Sequence, residues 1–180
     1  LVVGGTEEPV SLGVRAGEVV GLGGLAGSGR TEILETIVGA RKREGGTVSV
    51  GETVVSAGSP AAAVAAGISI VPEDRHSQGL HLEASIRENV AVGTWPVGRV
   101  RIRDERTLAR GFVERLRIRT PSVDTIVSKL SGGNQQKVVF ARCLVRSPRV
   151  LLLDEPTRGV DVGAKLELYK VIGQLAEEGA

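Results

Sequence analysis

A glycine-rich loop constrains this chain more than any other feature of its sequence. Residues 24–31, which read Gly-Leu-Ala-Gly-Ser-Gly-Arg-Thr, follow the apolar run 19–22 and precede residues 32–38, whose apolar side chains recur with helical spacing. A strand, a glycine loop and a helix in this order are typical of a phosphate-binding loop. Glycines let backbone N–H groups turn towards an anion, and the positive end of the helix points at the same place. We therefore predict a phosphate site formed by Gly24, Gly27, Ser28, Gly29, Arg30 and Thr31.

Two side chains at the end of this loop carry the predicted chemistry. Arg30 supplies the cation where the usual pattern has lysine, and the Thr31 hydroxyl can bind Mg²⁺. One alternative stays open at this point. Glycine makes up 25 of the 180 residues, so a glycine-rich turn could arise without a ligand.

Composition narrows the class of protein. With 41% hydrophobic but 2% aromatic residues, the core must be built from Val, Ile, Leu and Ala, which suits a parallel sheet covered by helices. The net charge of +2 is too small to indicate nucleic acid as a partner. The single cysteine, Cys143, excludes a disulfide framework and fits a reducing compartment. No apolar run reaches the about 18 residues that a membrane span needs, so work at a membrane would require a partner.

The order of apolar and polar segments predicts an α/β fold with a mainly parallel sheet. A half-buried strand is predicted at residues 10–14. Three buried strands, predicted to be parallel neighbours in the sheet, lie at 19–22, 68–71 and 150–153. The other predicted elements are an antiparallel hairpin at 47–55, a short helix between Ser59 and Gly67, and a helix from 162 to 178. Between about 73 and 146 the pattern is helical and polar.

These segments predict one domain, residues 1–180, with an α/β core at 1–72 and 147–180 and a helical subdomain at 73–146 inserted into it. The sequence begins inside a strand pattern and stops at the end of a helix, where an α/β sheet normally gains another strand. We therefore expect a fragment of a longer chain.

Two carboxylates follow the last apolar run. Asp154 is placed to hold Mg²⁺, and Glu155 to orient or deprotonate an attacking water, because ligands of open α/β sheets bind at the carboxyl ends of the strands. The alternative is an acidic turn after a core strand. The phosphate loop elsewhere in the chain favours the functional interpretation.

A second glycine-led helix is predicted at residues 130–137, which read Leu-Ser-Gly-Gly-Asn-Gln-Gln-Lys. Ser131 is a natural N-cap, and Gly132 and Gly133 leave the first N–H groups of the helix accessible to an anion. A capped helix without a ligand is the alternative interpretation.

Taken together and in this order, residues 24–31, 130–137 and 154–161 resemble the nucleotide-binding domain of ATP-binding-cassette (ABC) ATPases. The resemblance implies ATP and Mg²⁺ as cofactors and two such domains facing each other head to tail. Each ATP would lie between the phosphate loop of one domain and the signature residues of the other. The resemblance implies Mg²⁺ binding for Thr31 and Asp154, catalysis for Glu155, and a place in the interface-crossing loop for Asp161. Contact with the partner's ATP is implied for Ser131, Gly132, Gly133 and Gln135. Nucleotide binding is implied for Gly24, Gly27, Ser28, Gly29, Arg30, Thr31 and Glu73.

A finer resemblance identifies the type of transporter. Residues 24–32, 71–75, 132–137 and 157–165 are similar to the second half of tandem ATPase subunits that power importers of ribose, galactose, xylose and related monosaccharides. This implies a second ABC domain in the same full-length chain, transmembrane permease subunits, a periplasmic or extracellular sugar-binding protein, and a peripheral position at the cytoplasmic face of the membrane.

Departures from the family pattern keep other functions open. Arg30 replaces the loop lysine, and Glu73 stands where a glutamine is expected. These changes support a nucleotide-binding, weakly hydrolysing regulatory half that lends its signature segment to a competent partner. Relatives that import autoinducer or nucleosides have similar motifs. His76 and His81 are interpreted as loop residues, and Cys143 as a small packing residue.

Overall fold

The computed structural model describes residues 2–3, 9–25, 27–94 and 102–179. The chain divides into two compact units. The first contains Leu1–Ile70, Pro148–Asp154 and Gln174–Ala180, and the second contains Val71–Ser147 and Glu155–Gly173. Within the described ranges, none of the helices combines the length and the apolar character that crossing a membrane requires.

The secondary structure alternates short strands with helices. The strands are β1 (Val2–Val3), β2 (Arg43–Gly45), β3 (Ser49–Val50), β4 (Thr53–Val54), β5 (Ile68–Val71) and β6 (Val150–Leu153). The helices are α1 (Arg30–Ile37), α2 (Pro60–Ala65), α3 (Ile86–Val92), α4 (Ile102–Arg115), α5 (Gly132–Leu144) and α6 (Val162–Glu177). A π-helical turn at Arg75–Gly79 and a 3-10 helix at Val127–Lys129 lie between them.

The strands associate in pairs. β1 pairs with β2 and β3 with β4, both antiparallel, and β5 lies beside β6. The Gly67 carbonyl, directly before β5, accepts hydrogen bonds from the N–H groups of Arg149 and Val150 at 2.8 and 3.0 Å. Because the beginnings of β5 and β6 meet, the two strands run in the same direction. The prediction that 68–71 and 150–153 are parallel neighbours is confirmed.

The core of the first unit is aliphatic, as the composition predicts. Its buried members are Val38, Val50, Val55, Ala63, Ala66 and Ile68, and residues from both strands of the parallel pair, among them Ile70, Val150 and Leu152, pack against them. The core therefore joins the end of α1, the β3–β4 hairpin, α2 and the β5–β6 pair.

Local sequence signals predicted the small elements of this unit correctly. α1 buries Ile33 and Leu34, on the face that the apolar spacing indicates. The Ser59 hydroxyl caps α2 by accepting a hydrogen bond from the Ala62 N–H at 3.2 Å. The hairpin turns at Gly51, whose φ of +58° favours glycine.

The predictions of strands at 10–14 and 19–22 are wrong. Both segments have irregular backbone, and Leu12 and Val19 are 46% and 65% exposed. An apolar run becomes a strand only where another strand satisfies its N–H and C=O groups, and no described strand pairs with these residues. β6 is half-buried rather than buried, because the described part of its sheet contains only one other strand.

The second unit is helical, as the polar pattern between 73 and 146 predicts. α3 packs against α4 and α5, and Val90, Ala109 and Phe140, one from each helix, are all 0% exposed. Apart from one isolated bridge, the described residues of this segment form no strand interaction. The predicted helix 162–178 is confirmed by α6, after which Gly179 has a φ of +92°.

Candidate functional site

The glycine loop of the first unit folds back on itself. Gly27 and Gly29 have left-handed φ angles of +79° and +86°, which side chains disfavour. The Ser28 N–H donates to the Leu25 carbonyl at 3.1 Å and closes a tight turn. At Gly24 a Cβ atom would lie 2.2 Å from Ser28 Oγ, so any side chain there would force a rearrangement. The shape of the loop therefore requires three of the predicted glycines.

Arg30 and Thr31 are the first two residues of α1, and both are half-buried. Gly29 occupies the N-cap, and its carbonyl accepts the first helical hydrogen bond from the Ile33 N–H at 3.0 Å. The N–H groups of a first helical turn have no acceptor inside the helix and lie at its positive end. This arrangement suits an anion held by the loop.

The two carboxylates after β6 differ in environment. Asp154, in the first unit, is 5% exposed, whereas Glu155, in the second unit, is exposed. Glu155 has a φ of +44°, and its carbonyl accepts a hydrogen bond from the Arg158 N–H at 2.9 Å. A positive φ is uncommon outside glycine, and such conformations concentrate at functional sites. The backbone thus turns sharply directly after Asp154.

The signature segment, residues 130–137, begins α5 in the second unit. Ser131 is the N-cap, as predicted, but its hydroxyl accepts a hydrogen bond from Asn134 Nδ2 at 2.9 Å and caps no backbone N–H. The N-cap position is therefore confirmed, while the Ser131 hydroxyl bonds the side chain of Asn134 instead of the helix backbone. Gln135 is 8% exposed, and its Nε2 donates to the Val127 carbonyl at 3.2 Å.

The post-strand loop, residues 155–161, approaches this segment closely. Asp161 Oδ1 accepts a hydrogen bond from the Ala164 N–H at 2.9 Å and so starts α6. A Cβ atom on Gly133 would lie 2.5 Å from the Ala164 Cβ and 3.7 Å from Asp161 Oδ2. Gly133 therefore lets the beginning of α6 pack directly against the beginning of α5.

Glu73 forms an ion pair with Arg158 of the post-strand loop. The Glu73 side chain is 35% exposed and the Arg158 side chain 64%. The charge of the acidic residue that replaces the expected glutamine is thus balanced inside the second unit. Sequence reasoning missed Arg158, because nothing in the spacing of the two residues indicates that they meet.

Sequence reasoning also missed Arg75. Its guanidinium donates to the carbonyls of Arg158 and Gly159 at 3.0 and 3.4 Å, and to Gln135 Oε1 at 3.4 Å. Its sequence signal was its place in residues 71–75, directly after two acidic residues. That signal predicts charge but not these partners, which lie 60 to 84 residues further along the chain.

Asp74 holds the turn from which Arg75 projects. Its carboxylate accepts hydrogen bonds from the Ser77 hydroxyl at 2.7 Å and the His76 N–H at 2.9 Å, and these bonds lower the pKa of Asp74. His76 lies in the π-helical turn rather than in a loop, with its Nε2 3.1 Å from Gln135 Oε1. The loop interpretation is therefore wrong for this histidine.

The structure groups the predicted residues by unit. The first unit contains the glycine loop and Asp154. The Thr31 hydroxyl and the Asp154 carboxylate supply oxygen atoms of the kind that Mg²⁺ prefers. The second unit contains Glu73, the signature segment, Glu155 and Asp161.

The fold is that of an ATP-binding cassette. A dimeric ATP-binding cassette in a post-hydrolysis state, bound to ADP and Pi, has a TM-score of 0.76 over 93% of this chain and 73% of that chain, at 23% identity. The sequence profile of the family described as ABC transporter matches residues 8–158. The chain therefore belongs to the ABC transporter family.

Curated relatives refine the comparison. The ribose import ATP-binding protein RbsA of Chromobacterium violaceum is 49% identical over 92% of this chain and 34% of that protein. The arabinose import ATP-binding protein AraG 2 of Burkholderia ambifaria is 47% identical over 97% of this chain and 35% of that protein. The chain thus spans about a third of the length of these relatives.

Proposed function

We propose that this chain is an ATP-binding and ATP-hydrolysing domain that powers monosaccharide import by an ABC transporter. The observation that carries the proposal is the similarity of almost the whole chain to ribose and arabinose import ATP-binding proteins. Residues 1–180 are then one ABC domain, with its α/β core at 1–72 and 147–180 and its helical subdomain at 73–146. It is the second ATPase half of a longer chain.

In this proposal the glycine loop holds the phosphates of ATP. Backbone N–H groups of residues 24–31 surround the phosphates, and Arg30 adds positive charge. The left-handed glycines and the start of α1 support this role. Thr31 and Asp154 hold Mg²⁺, which neutralises charge on the phosphate oxygens when it is bound.

Glu155 is the proposed catalytic residue. It orients the attacking water and accepts its proton. An exposed carboxylate with a φ of +44°, directly after the buried Asp154, supports this assignment.

The signature segment is proposed to act in trans. Ser131, Gly132, Gly133 and Gln135 face the ATP held by a second ABC domain, and Asp161 lies in the loop that crosses between the domains. The further partners are transmembrane permease subunits and, through them, a periplasmic or extracellular sugar-binding protein. The domain sits at the cytoplasmic face of the membrane. Nucleic acid is not a partner.

A second candidate function is a regulatory half that binds ATP but hydrolyses it weakly. Two observations favour it: Arg30 stands in place of lysine, and the acidic Glu73 is paired with Arg158. Import of autoinducer or nucleosides instead of sugar is the remaining alternative for the transported solute.

Glu155→Gln separates the two functions. In the full-length protein with its permease subunits, and with the other phosphate loop inactivated, loss of the base should lower the ATPase rate by about 10²-fold or more. The matched control is Glu52→Gln, at an exposed hairpin turn of the first unit. An unchanged rate in the Glu155 variant would establish the regulatory function. ATP-dependent uptake by vesicles of ribose, arabinose, a nucleoside or autoinducer identifies the solute.

A further inference from the structure

One guanidinium connects three segments of the second unit. Arg75 projects from the π-helical turn and donates to two backbone carbonyls of the post-strand loop and to one side chain of the signature segment. A planar guanidinium carries five N–H donors in a fixed fork, so it can serve neighbouring acceptors at once. A lysine ammonium concentrates its donors at one point and could not reach all three.

The acceptor on the signature segment is itself fixed. Gln135 Oε1 faces both Arg75 Nε, at 3.4 Å, and His76 Nε2, at 3.1 Å. Gln135 Nε2 donates to the Val127 carbonyl at 3.2 Å, and Gln135 is 8% exposed. Both ends of the Gln135 amide therefore have hydrogen-bond partners. The amide oxygen is a fixed acceptor for Arg75 on α5.

Two glycines, Gly132 and Gly159, lie close to the guanidinium. A Cβ atom on Gly132 would lie 3.1 Å from Arg75 Nη2 and 3.3 Å from the Gly159 carbonyl oxygen. A Cβ atom on Gly159 would lie 3.4 Å from Arg75 Nη1. The two glycines allow the post-strand loop and the start of α5 to approach Arg75. The position of Arg75 therefore determines the positions of the loop and the helix.

We propose that Arg75 is a positioning residue, which holds the post-strand loop at a set place beside the signature segment and so sets the rate of ATP turnover. The inference rests on the proposed function, in which both segments act at the ATP held by the partner domain. In this proposal Arg75 acts through the two segments and not on the nucleotide. Its loss should therefore change kcat and leave the affinity for ATP unchanged.

The test compares Arg75→Ala and Arg75→Lys in the full-length protein assembled with its permease subunits. The matched control is Arg106→Ala, which removes an arginine that is 49% exposed and ion-paired with Asp124 at 3.2 Å in the same unit. ATPase rates are measured against ATP concentration. We expect kcat to fall by about 10- to 100-fold in both Arg75 variants, because small displacements of reacting groups cost this much. KM for ATP should stay within about twofold of wild type.

Each other outcome contradicts the inference in its own way. A full recovery by lysine would show that charge alone matters, and a raised KM with unchanged kcat would show that Arg75 binds the nucleotide. If wild type hydrolyses ATP and both Arg75 variants behave like Arg106→Ala, the inference fails and the proposed function stands. A wild type without ATPase activity overturns both. Circular dichroism checks folding, and failure of both variants to fold would make Arg75 a stability residue and the positioning role wrong.

Discussion

Lys137 Nζ lies 2.5 Å from Glu167 Oε2, joining the helix that carries the signature segment to α6. The lysine is 2% exposed and also donates to the Arg117 carbonyl at 2.8 Å. A buried ammonium is tolerated only when it is paired and hydrogen-bonded, and both conditions are met here. The contacts of the Lys137 ammonium therefore fix the first turns of α5 against α6.

Lys137→Ala should destabilise the protein by about 2–4 kcal/mol, because it removes buried methylenes and leaves the Arg117 carbonyl without this donor. The free energy of unfolding, from urea titration of the full-length protein, measures the loss. Lys170→Ala on the exposed face of α6 is the control and should stay within about 0.5 kcal/mol of wild type. Equal effects of the two substitutions would show that the contacts of Lys137 with Glu167 and the Arg117 carbonyl contribute nothing.

Because of Glu167, the free energy of unfolding should decrease at acidic pH. The hydrogen bond from Lys137, and its charge, hold the pKa of Glu167 below its ordinary value of 4.5. A carboxylate with a lowered pKa in the folded state contributes stability above its unfolded pKa, and this contribution is lost as the pH falls through the folded pKa.

The measurement compares wild type with Glu167→Gln across pH. The difference in unfolding free energy should be constant well above the unfolded pKa of Glu167 and should shrink towards zero as the pH falls through the lowered folded pKa. Glu177→Gln, at an exposed position in the last turn of α6, is the control and should stay within about 0.5 kcal/mol of wild type. If wild type and Glu167→Gln still differ in unfolding free energy at low pH, Glu167 contributes through packing and not through its charge.

Local features of this fold were predictable from sequence. The helical spacing of the apolar residues at 33, 34, 37 and 38 predicted α1, and the glycines predicted the left-handed turns at Gly27 and Gly29. Each of these depends on residues within a few positions of one another. The apolar run 19–22 failed as a strand because strand formation depends on a neighbour in space, which hydropathy alone does not supply.

The candidate site was predictable in its motifs but not in its links. Glu73, Gln135 and Asp161 were each identified from a motif. The arginines that join these motifs, Arg75 and Arg158, lie in the segments 71–75 and 157–165 but were assigned no role, because their contacts span 60 to 85 residues of chain. Charge patterning along a sequence carries no information about pairs formed by folding over such distances.

The glycine loop gives a steric prediction. Gly24→Ala should weaken ATP binding by about 10-fold or more, because its Cβ would lie 2.2 Å from Ser28 Oγ and the loop must open. Gly23→Ala is the matched control, since a Cβ atom there meets nothing within 4 Å. Binding of ATP to the full-length protein, followed by calorimetry with the other phosphate loop inactivated, should separate the two. Similar affinities in both variants would exclude this loop as the nucleotide site.

The last prediction concerns the cation of the same loop. A lysine acts as a compact point charge between phosphates, whereas the planar head of Arg30 is bulkier and suits bidentate contacts. Under the proposed function, we expect Arg30 to hold the phosphates of ATP without following the charge that develops in the transition state. One well-placed donor is worth about 10²–10³ in rate, so an imperfect replacement costs at most this much.

Arg30→Lys should accordingly raise the ATPase rate at this site with near-constant affinity for ATP. Adding Glu73→Gln, which restores the second residue of the family pattern and releases Arg158 from its ion pair, should raise the rate further. The rate is measured in the full-length protein whose other phosphate loop is inactivated. Arg41→Lys, the same substitution at a surface ion pair with Glu35 at 3.3 Å, is the control and should change nothing. If Arg30→Lys leaves the rate unchanged or lowers it, Arg30 is itself the functional cation, and the replacement of lysine is no defect of this half.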